Sequence, residues 1–114
     1  MEASATKDLL RDIYEWWKNA SHPCPASFCP NFTYEDGHDS FPEDDWLWWV
    51  RQNTGWGDPE LIAIVGEADG GAMLFSGTDP VTLLRHRVCW IVEVDGQAVR
   101  RILATSAVVG GGGA

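Results

Sequence analysis

The sequence predicts one α+β domain, in which two helices and a short strand precede a longer run of strands. Apolar residues recur at helical spacing in two segments before Gly55, and β-rich segments separated by turn residues follow from Leu61 onward. Strands joined by short turns pair in an antiparallel sheet, and such a sheet buries one face under helices. We therefore expect residues 1–109 to form a curved antiparallel sheet with the N-terminal helices on its concave face. Residues 110–114 are expected to be a flexible glycine-rich tail.

The first helix is predicted to begin near the start of the chain. Ser4 or Thr6 is the expected N-cap, and Asp8 lies in the first turn, where the helix dipole favours an acidic side chain. Pro23 is expected to end the helix, and residues 22–31 read as an irregular connector. Four residues at helical spacing form the apolar stripe: Leu10, Ile13, Tyr14 and Trp17.

A short strand and a second helix follow the connector. Phe32, Tyr34 and Asp36 alternate with polar residues and share one face of the strand, so that Asp36 continues an apolar row. Ser40, followed three residues later by Glu43, predicts a capping box at the start of the helix. Glycines 55 and 57 are expected to end the helix. Its inward stripe comprises Trp46, Trp49 and Val50.

The C-terminal half is predicted to hold strands at residues 61–67, 72–76, 85–94 and 97–108. Asp95-Gly96 indicates a two-residue hairpin turn, which pairs Val94 with Gln97. The expected core face of this hairpin carries His86, Val88, Trp90, Val92, Val94, Val99, Arg101 and Leu103. The other face mixes apolar side chains with both charge signs, as a self-complementary homodimer interface does. Its residues are Arg87, Cys89, Ile91, Glu93, Ala98, Arg100 and Ile102.

Composition excludes two classes of partner. Eight Lys and Arg stand against 17 Asp and Glu, and the resulting formal charge of −9 repels nucleic acid and anionic lipid. The apolar runs are too short to span a membrane, and the first residues lack the features of a signal peptide. Three cysteines are an odd number, which internal disulfides cannot use up. We therefore expect a cytoplasmic protein that binds neither nucleic acid nor membranes.

Signals for cofactors and metals are weak. The sequence has no glycine-rich phosphate loop and no nucleophile elbow. His22, Cys24, Cys29 and His38 could form a zinc set, but their spacing matches no common zinc finger. We expect no cofactor and no metal. Seven tryptophans, six of them before residue 57, indicate either a heavy core or the wall of an apolar pocket.

The order of these elements resembles the nuclear-transport-factor-2-like superfamily, which includes SnoaL-like polyketide cyclases and ketosteroid isomerases. The segments that carry the resemblance are residues 9–20, residues 28–37, the Thr78-Asp79-Pro80 turn and residues 92–97. The resemblance implies a cone-shaped fold, a cofactor-free apolar cavity between the helices and the sheet, and often a dimer through the outer face of the sheet.

The resemblance also implies roles for particular residues. Tyr14 falls where ketosteroid isomerases place the tyrosine that hydrogen-bonds the substrate oxyanion, and Asp36 falls where they place the carboxylate base. The blander interpretation makes Tyr14 a core residue and lets Asp36 open the Asp36-Gly37 turn. Trp90 stands where these isomerases have a protonated acid. His86, on the expected core face, is either a further acid or base or a rim residue.

These residues predict a small cofactor-independent enzyme that acts by acid–base chemistry on an apolar carbonyl compound, as an isomerase, cyclase or dehydratase. The cavity walls are predicted to be Trp17, Phe32, Trp49 and Trp90. One alternative is a non-catalytic protein that binds a small molecule in the same cone. A weaker alternative is an enzyme similar to limonene-epoxide hydrolases: Asp79 matches one acid of their Asp-Arg-Asp set, but Gly77 and Leu103 replace the other two residues.

Overall fold

The computed structural model describes residues 2–110 and contains two helices and six strands. The strand β6 includes Gly110, which the sequence assigns to the tail, and residues 111–114 of that predicted tail lie outside the described residues. In chain order the elements are α1 (Ala3–Lys18), β1 (Ser27–Glu35), β2 (Ser40–Phe41), α2 (Glu43–Gln52), β3 (Gly57–Glu67), β4 (Gly70–Thr78), β5 (Arg85–Asp95) and β6 (Ala98–Gly110). The predicted α+β class is confirmed.

The six strands form one curved sheet in the order β2-β1-β6-β5-β4-β3. The sheet is mixed, whereas the sequence predicts an antiparallel one, because β1 runs parallel to β6, with Ser27 beside Ala98. These two strands are far apart in the chain, so no hairpin turn fixes their relative direction. The helix α1 packs on β3 and β4, and α2 packs on β1 and β2. The two helices therefore cover opposite halves of the same sheet face.

The helix α1 begins earlier than the sequence predicts. Glu2 is its N-cap residue, without a side-chain cap bond, and Ser4 lies inside the helix. Thr6 is fully buried, and its hydroxyl donates to the carbonyl oxygen of Glu67 at 2.7 Å, so it ties the helix to β3 instead of capping it. Asp8 lies beyond the first turn, and its carboxylate forms an ion pair with Arg11. The predicted stripe is buried, and Trp16 is buried beside it.

The connector and the second helix also differ from the prediction. The strand β1 starts at Ser27, inside the predicted connector, and its pairing with β6 is irregular between Phe28 and Thr33. Pro30, which has no N–H to donate, lies within that irregular stretch. Ser40 belongs to β2, so the capping box does not form, and α2 instead starts after Pro42. The helix ends at Gln52, before the two glycines.

The β5–β6 hairpin has a different register from the predicted one. Asp95 pairs with Ala98, so the two loop residues are Gly96 and Gln97. Gly96 has a φ of +65°. Gln97 does not have a positive φ, and a positive φ at the first loop position alone is typical of the type II′ turn, whereas the prediction assumed a type I′ turn at Asp95-Gly96.

A β-bulge at Arg100 then exchanges the two faces of β6. Val94 pairs with Val99, but Glu93 pairs with Arg101, which leaves Arg100 as an extra residue. Arg101 and Leu103 therefore lie on the outer face and not on the predicted core face. Conversely, Ile102 is fully buried inside the molecule, together with Ala104. The bulge also lets two consecutive arginines contact the same carboxylate on the outer face, that of Glu93.

The core lies between the helices and the inner face of the sheet, with Trp46 of α2 at its centre. The indole of Trp46 contacts the rings of five aromatic residues, namely Trp16, Phe28, Phe32, Tyr34 and Trp90. Trp49, predicted to point inward beside it, is 42% exposed. Within residues 2–110, neither helix combines the length and the apolar character of a membrane-spanning segment.

Candidate active site

A cavity of about 260 Å³ opens beside the core, between the C-terminal ends of both helices and the inner face of β5 and β6. Half of its lining residues carry aromatic rings, and ionisable side chains are grouped with them. The lining residues are Trp17, Tyr34, Asp36, Trp49, Trp56, Asp79, His86, Val88, Trp90, Ala104, Thr105 and Ser106. The cavity is therefore the place where aromatic surface and acid–base groups of this chain meet.

Two indoles build one wall of the cavity. The ring centroids of Trp17 and Trp56 lie 4.8 Å apart. Backbone contacts hold the segments that carry them together, because the amide of Gly55 donates to the carbonyl oxygen of Lys18 at 3.3 Å. Gly77 of β4 lies directly beneath, and a Cβ atom there would stand 3.3 Å from the Trp56 ring. The absence of a side chain at position 77 thus allows the two indoles to reach the sheet.

Tyr34 and Trp90 form the base of the cavity. Both are buried, and burial raises the pKa of the Tyr34 hydroxyl to about 12, with the nearby Trp90 N–H acting against this rise and the Asp36 charge adding to it. The Trp90 indole N–H lies near that hydroxyl, but it makes no hydrogen bond of good geometry with any residue that the structure describes. A buried donor without a partner is costly, and a ligand oxygen would satisfy it.

Asp36 lies at the mouth of the cavity. The chain turns immediately after it, and its carboxylate Oδ1 accepts a hydrogen bond from the amide of Asp39 at 2.9 Å. Its side chain is exposed, so Asp36 does not continue the buried apolar row as the sequence predicts: β1 ends at Glu35, one residue earlier. Asp36 therefore combines the structural role of a turn residue with a position on the cavity.

Asp79 is a second carboxylate at the cavity, and it also organises a turn. Its Oδ1 accepts hydrogen bonds from the amides of Val81 at 2.7 Å and Thr82 at 3.2 Å. These bonds fix the loop between β4 and β5, in which Leu83 has a φ of +61°. One carboxylate oxygen is thereby committed to the loop, and the other has no protein hydrogen bond among the described residues.

His86 lies on the inner face of β5, as predicted, and lines the cavity. Its ring meets the Trp56 ring edge to face, with centroids 6.0 Å apart. Its Nε2 atom is buried and lacks a hydrogen-bond partner among the described residues. The imidazole therefore has a free nitrogen that can accept or donate a proton beside the tryptophan wall.

Two of the predicted site residues lie elsewhere. Tyr14 is buried behind the wall, stacked on Trp17 at 6.1 Å and beneath the Lys18 ammonium, and it does not line the cavity. Burial raises the pKa of its hydroxyl, and the Lys18 charge partly opposes this. Phe32 packs into the closed part of the core, against Phe28 and Trp46. Of the predicted residues, the structure groups Asp36, His86, Trp17, Trp49 and Trp90 around the cavity.

Three lining residues with aromatic or acidic side chains, Tyr34, Trp56 and Asp79, are not among the predicted site residues. Tyr34 was assigned only to an apolar row, although its parity on β1 already placed it beside Asp36. Trp56 was counted among the tryptophans without a role. Asp79 was weighed only against the epoxide-hydrolase pattern, in which Gly77 and Leu103 replace the partners. In the structure, Gly77 supports the wall and Leu103 lies on the outer face of the sheet.

Charge at the cavity has one sign. Among the described residues, the lining set contains two carboxylates and neither lysine nor arginine. No three His, Cys, Asp or Glu side chains within residues 2–110 are grouped closely enough to hold a metal ion, so His22, Cys24, Cys29 and His38 do not converge.

Known proteins share this fold at low sequence identity. A candidate ketosteroid isomerase from Kribbella flavida is similar at a TM-score of 0.78 and 14% identity, over 92% of this chain and 79% of that chain. An LEH-like epoxide hydrolase from M. tuberculosis gives a TM-score of 0.73 and 12% identity, over 92% and 84% of the two chains. An NTF2-like protein of unknown function from Cytophaga hutchinsonii gives a TM-score of 0.71 and 8% identity, over 90% of this chain and 89% of that chain.

No protein-family model matches the sequence, and neither does any curated protein. The structural neighbours nevertheless establish the architecture: this chain has the nuclear-transport-factor-2-like fold, with an aromatic cavity between its helices and its sheet. The resemblance inferred from the sequence is confirmed at the level of the fold. Fold alone does not define an activity.

Proposed function

We propose that this protein is a cofactor-independent acid–base enzyme that acts on an apolar carbonyl compound bound in the cavity. One observation carries the proposal: the buried Tyr34 hydroxyl and the unpartnered Trp90 N–H lie at the base of an aromatic cavity that has the Asp36 carboxylate at its mouth. Such a site holds a carbonyl oxygen at one end and a base at the other. Isomerisation, aldol-type cyclisation and dehydration all use these two elements.

Asp36 is the base in this proposal. It removes a proton from the carbon next to the substrate carbonyl, and the electron pair of that C–H bond moves toward the carbonyl oxygen to form an enolate. One carboxylate oxygen is held by the Asp39 amide, which fixes the orientation of the group. A carboxylate that is fixed by its turn loses less freedom when the substrate binds.

Tyr34 and Trp90 are the donors to the enolate oxygen. The resemblance to ketosteroid isomerases implies this role for Tyr14, but the Tyr14 ring lies behind Trp17, so we assign the role to Tyr34. A phenol and an indole N–H, both held by packing, stabilise developing negative charge without reorganising. His86 or Asp79 then supplies or accepts the second proton, because both line the same cavity.

Exchange of carbonyl-adjacent hydrogens tests the proposal without knowledge of the natural substrate. Acetophenone and 2-cyclohexenone would be incubated with the protein in D₂O, and deuterium incorporation followed by NMR. We expect the Asp36→Asn variant to lose exchange by about 100-fold or more, since general-base catalysis contributes on that order. The Tyr34→Phe variant should lose a smaller part of the exchange rate. Asp39→Asn is the matched control. It changes an acid of the same turn that does not line the cavity.

The outcomes separate enzyme from binding protein. Unchanged exchange in Asp36→Asn would contradict the assignment of the base. Tryptophan fluorescence would detect binding of the ketones. Binding without exchange of their carbonyl-adjacent hydrogens would favour the non-catalytic alternative.

We also propose that the protein is a homodimer that pairs through the outer face of the sheet. Val65 and Ile91 are 59% and 50% exposed there, beside the Glu93–Arg101 ion pair. Apolar side chains next to both charge signs form a self-complementary patch. Light scattering should give twice the chain mass, and Ile91→Glu should give the monomer mass.

A cytoplasmic location is the remaining part of the proposal. Cys24, Cys29 and Cys89 are all free thiols, which supports a reducing compartment.

A further inference from the structure

The cavity has two features that an uncharged ligand would leave unused. Five indole and phenol rings line it, those of Trp17, Tyr34, Trp49, Trp56 and Trp90, and two carboxylates stand among them. The described lining residues include no lysine and no arginine. The faces of indole and phenol rings attract cations, most strongly where water is scarce. Carboxylates attract them over a longer range.

The geometry points to a cationic ligand: we propose that the cavity selects apolar carbonyl compounds that carry an ammonium group. The carbonyl oxygen lies at the Tyr34 and Trp90 end, and the ammonium group lies near the mouth, between Asp79 and the indoles. This inference rests on the proposed function only in taking the cavity as the ligand site. It adds the charge of the ligand, which acid–base chemistry does not require.

A neutral molecule or an anion of the same shape would fit the cavity equally well by size, so charge is the property that distinguishes the ligands. Both acids can be neutralised without disturbing their turns. The Asp36 and Asp79 side chains each use Oδ1 to accept amide hydrogen bonds, and the carbonyl oxygen of asparagine can accept the same bonds. The Asn variants therefore remove charge and retain the loops. Asp12→Asn is the matched control, since it removes the same charge from an exposed position of α1 away from the cavity.

The experiment compares two probes of nearly the same shape. One is para-acetylphenyl-trimethylammonium, and the other is its neutral carbon isostere, para-tert-butylacetophenone. Their dissociation constants would be measured by calorimetry for the wild type, Asp36→Asn, Asp79→Asn, the double variant and Asp12→Asn. We expect the wild type to prefer the cation by about tenfold or more, and each single variant to lose part of that preference. The double variant should lose most of it, whereas Asp12→Asn should retain it.

Two results would overturn the inference: a neutral probe that binds as tightly as the cation, or no binding of either probe. A preference that is the same in the double variant and the wild type would overturn the role of the carboxylates. The acetyl hydrogens of both probes report separately on the proposed function. If the protein prefers the cation but does not exchange the acetyl hydrogens, the ligand proposal is supported and the proposed enzymatic activity is contradicted. If it exchanges the hydrogens but has no charge preference, the enzymatic activity is supported and the ligand proposal is contradicted.

Discussion

Trp16 and Trp17 are adjacent in the chain but belong to two different regions of the molecule. Trp16 packs against Trp46 at 5.9 Å and donates its indole N–H to the carbonyl oxygen of His22 at 2.7 Å. Trp17 packs against Trp56 and faces the cavity. We call Trp16, Phe28, Phe32 and Trp46 the closed cluster, and Trp17, Trp49, Trp56 and Trp90 the cavity cluster.

The difference between the clusters shows what makes a site. Trp46 and Trp90 each have a buried indole N–H that lacks a hydrogen-bond partner within the described part of the chain. An unpartnered donor therefore does not by itself mark a function. The Trp90 donor borders a space that a ligand can enter, next to a buried phenol and a carboxylate, whereas Trp46 is surrounded by other rings. The tryptophans therefore serve both purposes that the composition indicates: they form a heavy core in the closed cluster and a pocket wall in the cavity cluster.

The largest expected contrast is in stability. Trp46 is 0% exposed and Trp49, three residues later on the same helix, is 42% exposed. Trp46→Ala should lower the free energy of unfolding by about 3–5 kcal/mol, because it removes the centre of the closed cluster. Trp49→Ala should cost less than about 1 kcal/mol, because much of that ring already contacts water. Urea unfolding followed by circular dichroism measures both.

If Trp46→Ala does not fold, Trp46→Phe provides the measurement, with a smaller loss expected. Equal losses for the variants at positions 46 and 49 would contradict the division into a closed and an open cluster. Trp49→Ala should instead weaken binding of an aromatic ketone in the cavity.

Tyr34 belongs to both regions, since its ring stacks on Trp46 and its hydroxyl reaches the cavity. Burial raises its pKa to about 12, above the ordinary value of 10.0. Between these values the folded state binds the proton more tightly than the unfolded state, so stability is retained below about pH 10 and falls as the pH rises toward 12. A shift of this size corresponds to a loss of about 2–3 kcal/mol.

The Tyr34→Phe variant isolates this effect. Burial also raises the pKa of Cys24 to about 11 and that of Tyr14, so the wild type loses stability at high pH from more than one group. The loss between pH 9 and pH 12 should be smaller in Tyr34→Phe than in the wild type. The chain has two tyrosines, and tyrosinate absorbance can follow both. Ionisation of both near pH 10 would contradict burial of the Tyr34 hydroxyl.

Sequence patterns predicted the helices and the faces of β5 because those features depend on residue spacing within one element. The inward stripe of α1 and the row Val88, Trp90 and Val92 follow from periods of 3.6 and 2. The register of β6 could not be predicted in the same way. It depends on an extra residue at Arg100, whose neighbours carry no local signal for a bulge.

The site was predicted in part for a related reason. Asp36 and His86 could be placed by parity, but the exposure of Asp36 depends on where β1 ends and the chain turns. Asp79 and Trp56 reach the cavity from the segments that follow β4 and precede β3, and the pairing of Gly57 with Thr78 brings those two segments together. Tyr14 lies on the buried face of α1, as its spacing predicts. That Trp17 separates it from the cavity depends on tertiary packing, which the spacing does not reveal.

The smallest expected contrast is between two glycines near opposite ends of β4, Gly71 and Gly77, each replaced by alanine. Gly77→Ala would place a Cβ atom 3.3 Å from Trp56 and 3.4 Å from Trp17, and side chains at a cavity can move by that amount. Gly71→Ala would place a Cβ atom 2.3 Å from the backbone oxygen of Val65, which cannot yield without shifting the sheet. We expect Gly71→Ala to cost about 1–3 kcal/mol in urea unfolding and Gly77→Ala to cost less. Binding should show the opposite order, since only Gly77→Ala moves the wall. Tighter or unchanged ketone binding by Gly77→Ala would mean that Trp17 and Trp56 do not contact the ligand.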